Sequence, residues 1–219
     1  MDDLTLMQRI AVWALPVLFA ITVHEVAHGW MARRLGDPTA MMLGRLTLNP
    51  LKHIDPVGTV LLPVLLLVLQ MPFIFGWAKP VPVTWENLRN PKRDMALVAV
   101  AGPLSNLLMG IGWALIMKLG FVLGQNYEWL AWPLIYMGGA GITINVVLML
   151  INLLPIPPLD GGRVLVGILP GPWAWKVSRL EPYGFLILVG LLATGLLGKI
   201  LGPLMAVVQH GLFTLAGLS

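Results

Sequence analysis

Val23-His24-Glu25-Val26-Ala27-His28-Gly29 closes an apolar run that begins at Ile10, and the meeting of that motif with that run decides how the rest of the chain is read. Positions i and i+4 share a helical face, so His24 and His28 stack two imidazoles on one side of a single turn. Glu25 adds a carboxylate one residue along. Two imidazoles can grip a divalent metal; a catalytic zinc site takes a third protein ligand, keeps one position for water, and has a nearby carboxylate to accept the water's proton. The competing reading has both histidines hydrogen-bonded inside a helix bundle and Glu25 paired with Arg33 or Arg34. Ionisable groups inside an apolar span are costly to bury and mark function, which favours the metal.

Around this motif the 219 residues are 58% hydrophobic and 11% charged, against about 25% charged in an ordinary soluble domain. Such a chain belongs in a bilayer as an integral, multi-pass protein. We expect an all-α polytopic membrane fold, read as one domain over residues 1–219, with its core at about 7–170 and C-terminal helices at about 183–217. A crossing needs about 20 mainly apolar residues. Candidates lie at 7–32, 57–75, 94–118, 130–152, 183–197 and 200–217. Five or six spans follow, depending on whether Gly198-Lys199 and Gly202-Pro203 divide or kink the last element. The first run has no basic cluster before it and no small-residue cleavage site after it, so it reads as a retained span.

Two connections, 33–56 and 73–94, are more polar and carry four basic residues each, so the positive-inside rule assigns no orientation. Gly44-Arg45-Leu46-Thr47-Leu48-Asn49-Pro50 alternates like a short interfacial strand or hairpin, and Val81-Pro82-Val83 reads as a second extended piece. The formal charge of +4 comes from scattered Lys and Arg. That pattern fits anionic lipid headgroups and excludes the basic run nucleic acid requires. With no cysteine in the chain, disulfide and thiolate chemistry are excluded.

A third ligand must come from a short roll of acidic residues, most of them in loops or at segment ends. Asp160 differs. Asn152-Leu153-Leu154-Pro155-Ile156-Pro157-Pro158-Leu159-Asp160 leaves an apolar helix without becoming surface-like, and its three prolines forbid a regular helix. Irregular backbone at membrane depth is tolerated only where protein buries it or water lines it. Asp160 therefore reads evenly as a third ligand and as the N-terminal cap of a helix ahead of Val164. If the fourth segment were straight, Asp160 would lie too far from His24. We expect that span to break at Pro155 to Pro158 and turn back, so that Asp160 returns to membrane depth before a short helix at about 161–169.

Taken together, three pieces resemble the site-2 protease family of intramembrane zinc metalloproteases. They are His24 through Gly29; Asn152 through Pro155 with Pro157, Asp160 and Gly161; and Gly44 through Pro50 with His53, Asp55 and Gly58. The likeness runs over about residues 10–170 and looks like the minimal form, without a PDZ-like insertion. It implies one zinc ion per chain on His24, His28 and Asp160, with Glu25 activating water. The substrate it implies is a transmembrane helix of another membrane protein, cut within the bilayer, with an adaptor protein as a further partner. The same resemblance suggests that Asn152 serves as an oxyanion-hole donor; satisfying a broken helix end is the rival role.

Ala101-Gly102-Pro103-Leu104-Ser105-Asn106 also resembles a recurring family stretch, where Asn106 serves either the cavity or an interhelical hydrogen bond. His53 matches a family position and reads equally as a cavity residue and as a surface histidine beside Lys52 and Asp55. His210 reads as an interface residue. Two rival functions remain: a membrane metal transporter, which needs further ligands at successive depths, and a non-catalytic relative that binds helices, in which loss of a motif residue is expected. The return of Asp160 makes a definite expectation: inserting one alanine before it abolishes zinc binding while membrane insertion persists. Zinc analysis of the purified variant checks it, and retained zinc would sink the broken-span geometry.

Overall fold

The computed structural model describes residues 4–69, 76–124 and 126–218. Among these, nine α-helices carry the fold: α1 (Leu6–Arg34), α2 (Thr39–Met42), α3 (Leu62–Val68), α4 (Pro91–Leu123), α5 (Glu128–Asn152), α6 (Asp160–Ile168), α7 (Gly171–Ser178), α8 (Glu181–Ala193) and α9 (Leu196–Ala216). Four of them, α1, α4, α5 and α9, are long and apolar enough to cross a membrane. At ~1.5 Å per residue, α1 and α4 run to roughly 40–50 Å and exceed the ~30 Å hydrocarbon layer.

The ends of these helices are written in the sequence. Thr5 caps α1 through a reciprocal pair, its hydroxyl accepting from the Gln8 amide and the Gln8 side chain accepting from the Thr5 amide. Asn90-Pro91 opens α4, with the Asp94 carboxylate reaching back to the Asn90 N–H at 2.8 Å. Helix α4 is the hub, packing against α1, α5, α6 and α9. One core cluster joins Trp113 and Ala114 of α4, Ile142 and Val146 of α5, and Leu212 and Ala216 of α9. In lipid such contacts gain little from the hydrophobic effect. They depend on close van der Waals packing, which the small residues along α4 and α5 permit.

The C-terminal region departs from the expected boundaries. The break falls at Thr194-Gly195, and neither Gly198-Lys199 nor Gly202-Pro203 interrupts α9. Helix α8 has 13 residues, about 20 Å, short of a full crossing. It packs Leu188 against Leu197 and Leu201 of α9. The candidate span at 57–75 begins as a π-helical turn, Pro56–Leu61, followed by α3. Its last residues, 70–75, and the start of the connection at 73–94 lie outside the described residues.

No strand forms among the described residues, so the expected strand or hairpin at Gly44 to Pro50 is corrected. Local polar side chains capture the backbone first. The Thr47 hydroxyl accepts from the Asn49 amide, the Asn49 side chain accepts from the Leu51 amide, and Pro50 opens a 3-10 turn through His53. Residues 76–84 form no regular element and are paired irregularly. Trp77 N–H donates to the Gly58 carbonyl at 3.1 Å, Lys79 N–H to the His53 carbonyl at 2.9 Å, and the Arg45 guanidinium to the Lys79 and Pro80 carbonyls. Two isolated backbone bonds and one guanidinium stand where a partner strand would have given a ladder.

Asp37 anchors the far end of this strap. Its buried carboxylate accepts from the Thr39 amide and hydroxyl, from the Thr84 N–H at 2.7 Å and from the Asn87 side-chain amide at 3.1 Å. Burial alone would push its pKa up; the hydrogen bonds from Thr39, Thr84 and Asn87 outweigh it and hold the carboxyl below its ordinary value. Stability from this group is therefore full above the ordinary Asp value of 3.8 and lost as pH falls toward the folded one. Asp37→Ala is expected to cost about 1–2 kcal/mol, because it removes the acceptor of several half-buried donors at once. Thermal melting in detergent checks this, and Asp37→Asn should flatten the acid limb of the stability profile.

Candidate metal centre

The C-terminal half of α1 presents His24 and His28 inward, both buried, with their rings edge to face at 4.6 Å between centroids. The His28 Nδ1 lies 2.8 Å from the Val98 carbonyl oxygen of α4. A carbonyl only accepts, so His28 carries its proton on Nδ1 and keeps a lone pair on Nε2. The His24 Nδ1 lies 2.6 Å from Asn106 Oδ1, also on α4, which places its proton on Nδ1 in the same way. Both Nε2 atoms are therefore ligands in waiting.

Asp160 arrives from the other side. Helix α5 stops at Asn152, the proline tract crosses irregularly with a cis bond between Pro157 and Pro158, and α6 restarts the helix at Asp160 itself. The first turn of α6 lies directly on the tract: a Cβ on Gly161 would stand 2.3 Å from the Leu153 carbonyl oxygen. That approach turns Asp160 back onto α1. Its Oδ2 is 3.2 Å from His24 Nε2 and 3.3 Å from His28 Nε2, and the two nitrogens are 3.0 Å apart. Asp160 does not cap α6; Leu159 occupies the capping position and no side chain caps there.

With both ring protons directed outward, three lone pairs face one another, and Asp160 Oδ2 is a buried atom without a hydrogen-bond partner. Such an arrangement calls for a cation. Zinc bonds of ~2.0–2.1 Å in a tetrahedron give ligand-to-ligand edges of about 3.3 Å, close to the three separations here. His24, His28 and Asp160 could therefore hold a metal ion. Two nitrogens and one carboxylate oxygen are donor chemistry that zinc uses with a position left for water.

Other predicted residues sit at varying distance from this cluster. Glu25 is half-buried, and its Oε2 accepts from the Val81 N–H at 2.7 Å. Asn106 is fully buried and supports His24. His53 is buried, not a surface residue, and its Nε2 donates to the Thr47 carbonyl at 2.9 Å, which makes it a clamp of the 47–53 turn. Asn152 ends α5 with its amide donating back to the Leu148 carbonyl at 3.0 Å. Among the described residues no hydrogen bond joins Asn152 to the cluster. His210 is exposed on α9.

Two contributors escaped the sequence reading. Val81 supplies a backbone amide, and its only signal was Pro80-Val81-Pro82, which leaves one N–H between two residues that have none. Gly102 supplies empty space: a Cβ there would stand 2.4 Å from His28 Nε2 and 2.6 Å from His24 Cε1. That absence of a side chain lets α4 lie directly against the pair of histidines.

Zinc hydrolases as a class use this donor chemistry in this order along a helix. Relatives bear the class out. The chain is 37% identical over 199 residues to "Putative zinc metalloprotease YwhC" of Bacillus subtilis, covering 86% of this chain and 83% of that protein. It is 32% identical over 182 residues to "Putative zinc metalloprotease Rip2" of Mycolicibacterium smegmatis, covering 83% and 66%. The protein of the same name from Mycobacterium tuberculosis is 29% identical over 207 residues, covering 92% and 73%. This chain belongs to that zinc metalloprotease family. No family model and no solved structure matches it.

Gly102→Ala should cut zinc occupancy at least tenfold while leaving the fold intact, because alanine is otherwise the better helix former by about 1 kcal/mol. Metal analysis and thermal melting of the same preparation check both halves. Asp160→Asn should lose zinc comparably, since a neutral amide is a poor ligand.

Proposed function

We propose that the chain is an intramembrane protease of the site-2 protease type, which hydrolyses peptide bonds in transmembrane segments of membrane-protein substrates. One observation supports this above others: the convergence of His24 Nε2, His28 Nε2 and Asp160 Oδ2 among helices long enough to cross a bilayer. When bound by these three residues, zinc would lower the pKa of a coordinated water and polarise the scissile carbonyl. Glu25 would be the group that takes a proton from the attacking water and passes it to the leaving amine. Its Oε2 is held by the Val81 amide at 2.7 Å, which leaves Oε1 for the proton.

A helix in lipid has every carbonyl bonded within its own chain, so the substrate must unwind before it can be cut. The stretch from Val81 to Val83 forms no regular element, meets Glu25 through the Val81 amide and gives an unwound segment something to run along. The working setting is an integral, multi-pass position in the bilayer, with an adaptor protein as an additional partner. Among the described residues this is the only group that could hold a metal. A transport path would need a succession of such groups, so the observation favours catalysis over transport.

Purified protein in detergent, presented with a panel of single-span membrane substrates, tests the reading. Wild type should cleave, and Glu25→Gln should lose activity by about a thousandfold or more at equal zinc content. Equal rates would remove Glu25 from the chemistry and point to a contaminant or to another base.

A further inference from the structure

Asn145 is a fully buried asparagine on α5 that makes no contact with any metal ligand by hydrogen bond, and an apolar side chain would serve mere packing there at lower cost. Its amide nitrogen donates to the Gly141 carbonyl, one turn back, at 2.8 Å. That carbonyl accepts only, so the amide of Asn145 has one permitted orientation: NH2 toward Gly141 and Oδ1 toward α4. Oδ1 receives Asn106 Nδ2 at 2.9 Å. An oxygen there likewise permits one orientation of Asn106, with its own Oδ1 aimed at His24. The other partner of Asn106 Nδ2, the Ala20 carbonyl, is a long contact at 3.4 Å and holds the amide weakly by itself.

We propose that Asn145 is a positioning residue for the metal centre, which sets the tautomer of His24 from a helix away. The relay runs from the Gly141 carbonyl through Asn145 and Asn106, each amide handing on its polarity, and ends with the His24 proton on Nδ1 and a lone pair on Nε2. Without Asn145, the Asn106 amide can flip. Its NH2 would then face His24, Nδ1 would become an acceptor, and the proton would move to Nε2, where it blocks the metal. Asn106 is thus the visible support of His24, while Asn145 decides which way that support faces. This inference rests on the metal reading of His24, and its test separates the two.

The test uses the full chain in detergent and two readouts, zinc affinity by competition with a chelator and the His24 tautomer by nitrogen-15 NMR of the metal-free protein. Asn145→Leu should weaken zinc about tenfold and turn a pure Nδ1–H pattern into a mixture. Asn145→Ala serves the same purpose where the leucine variant fails to fold. Asn106→Asp removes the need for the relay, because a carboxylate offers His24 only acceptors. In that background Asn145→Leu should change zinc affinity less than threefold. An equal loss in both backgrounds, or a wild-type tautomer pattern in Asn145→Leu, overturns the proposal. Wild type that binds no zinc would overturn the metal reading, and the NMR pattern would still decide the relay.

Discussion

Three lone pairs held within 3.3 Å of one another, on groups whose protons are already committed elsewhere, repel unless a cation lies among them. Much of the architecture follows from holding that arrangement together. Helix α1 must bring two histidines to one face, α4 must come close enough to take their ring protons, and the chain after α5 must double back to deliver a carboxylate. Each requirement has its own sequence signature: the spacing of His24 and His28, a residue without a side chain at Gly102, and prolines where a helix would otherwise continue.

The bundle around this centre is built less by hydrophobic pressure than by fit. In a bilayer, apolar side chains gain little by turning inward, so α4 and α5 associate through small residues and a few interhelical hydrogen bonds. The polar ladder formed by Asn145, Asn106 and His24 is therefore both a support for the His24 imidazole and one of the few directional links between α1, α4 and α5. Registering the helices and orienting the imidazole are one physical event.

How much of this could be read beforehand varied with the range of the interaction. His24, Glu25 and His28 were legible because a helix fixes their relation over four residues. The broken segment before Asp160 was legible because proline acts on its own backbone. The strand expected at Gly44 to Pro50 did not form, since alternation predicts extension but says nothing about whether Thr47 and Asn49 will take the backbone hydrogen bonds first. His53 read equally as a cavity residue and as a surface histidine beside charged neighbours; the turn from Thr47 folds over it and buries it. Gly102 and Asn145 carry no local sign of what they touch, because their roles exist only between helices. Span number was hardest, since α8 has the composition of a crossing and lacks the length.

The Pro80-Val81-Pro82 strap meets Glu25 through a main-chain atom, and this has a consequence for heredity. Any amino acid except proline supplies an N–H at position 81, but the Val81 side chain is itself buried against Gly29 of α1, so only replacements that fit that space keep the amide on Glu25. What is inherited is a shape and a single amide, and the side chain that carries the amide also holds the shape.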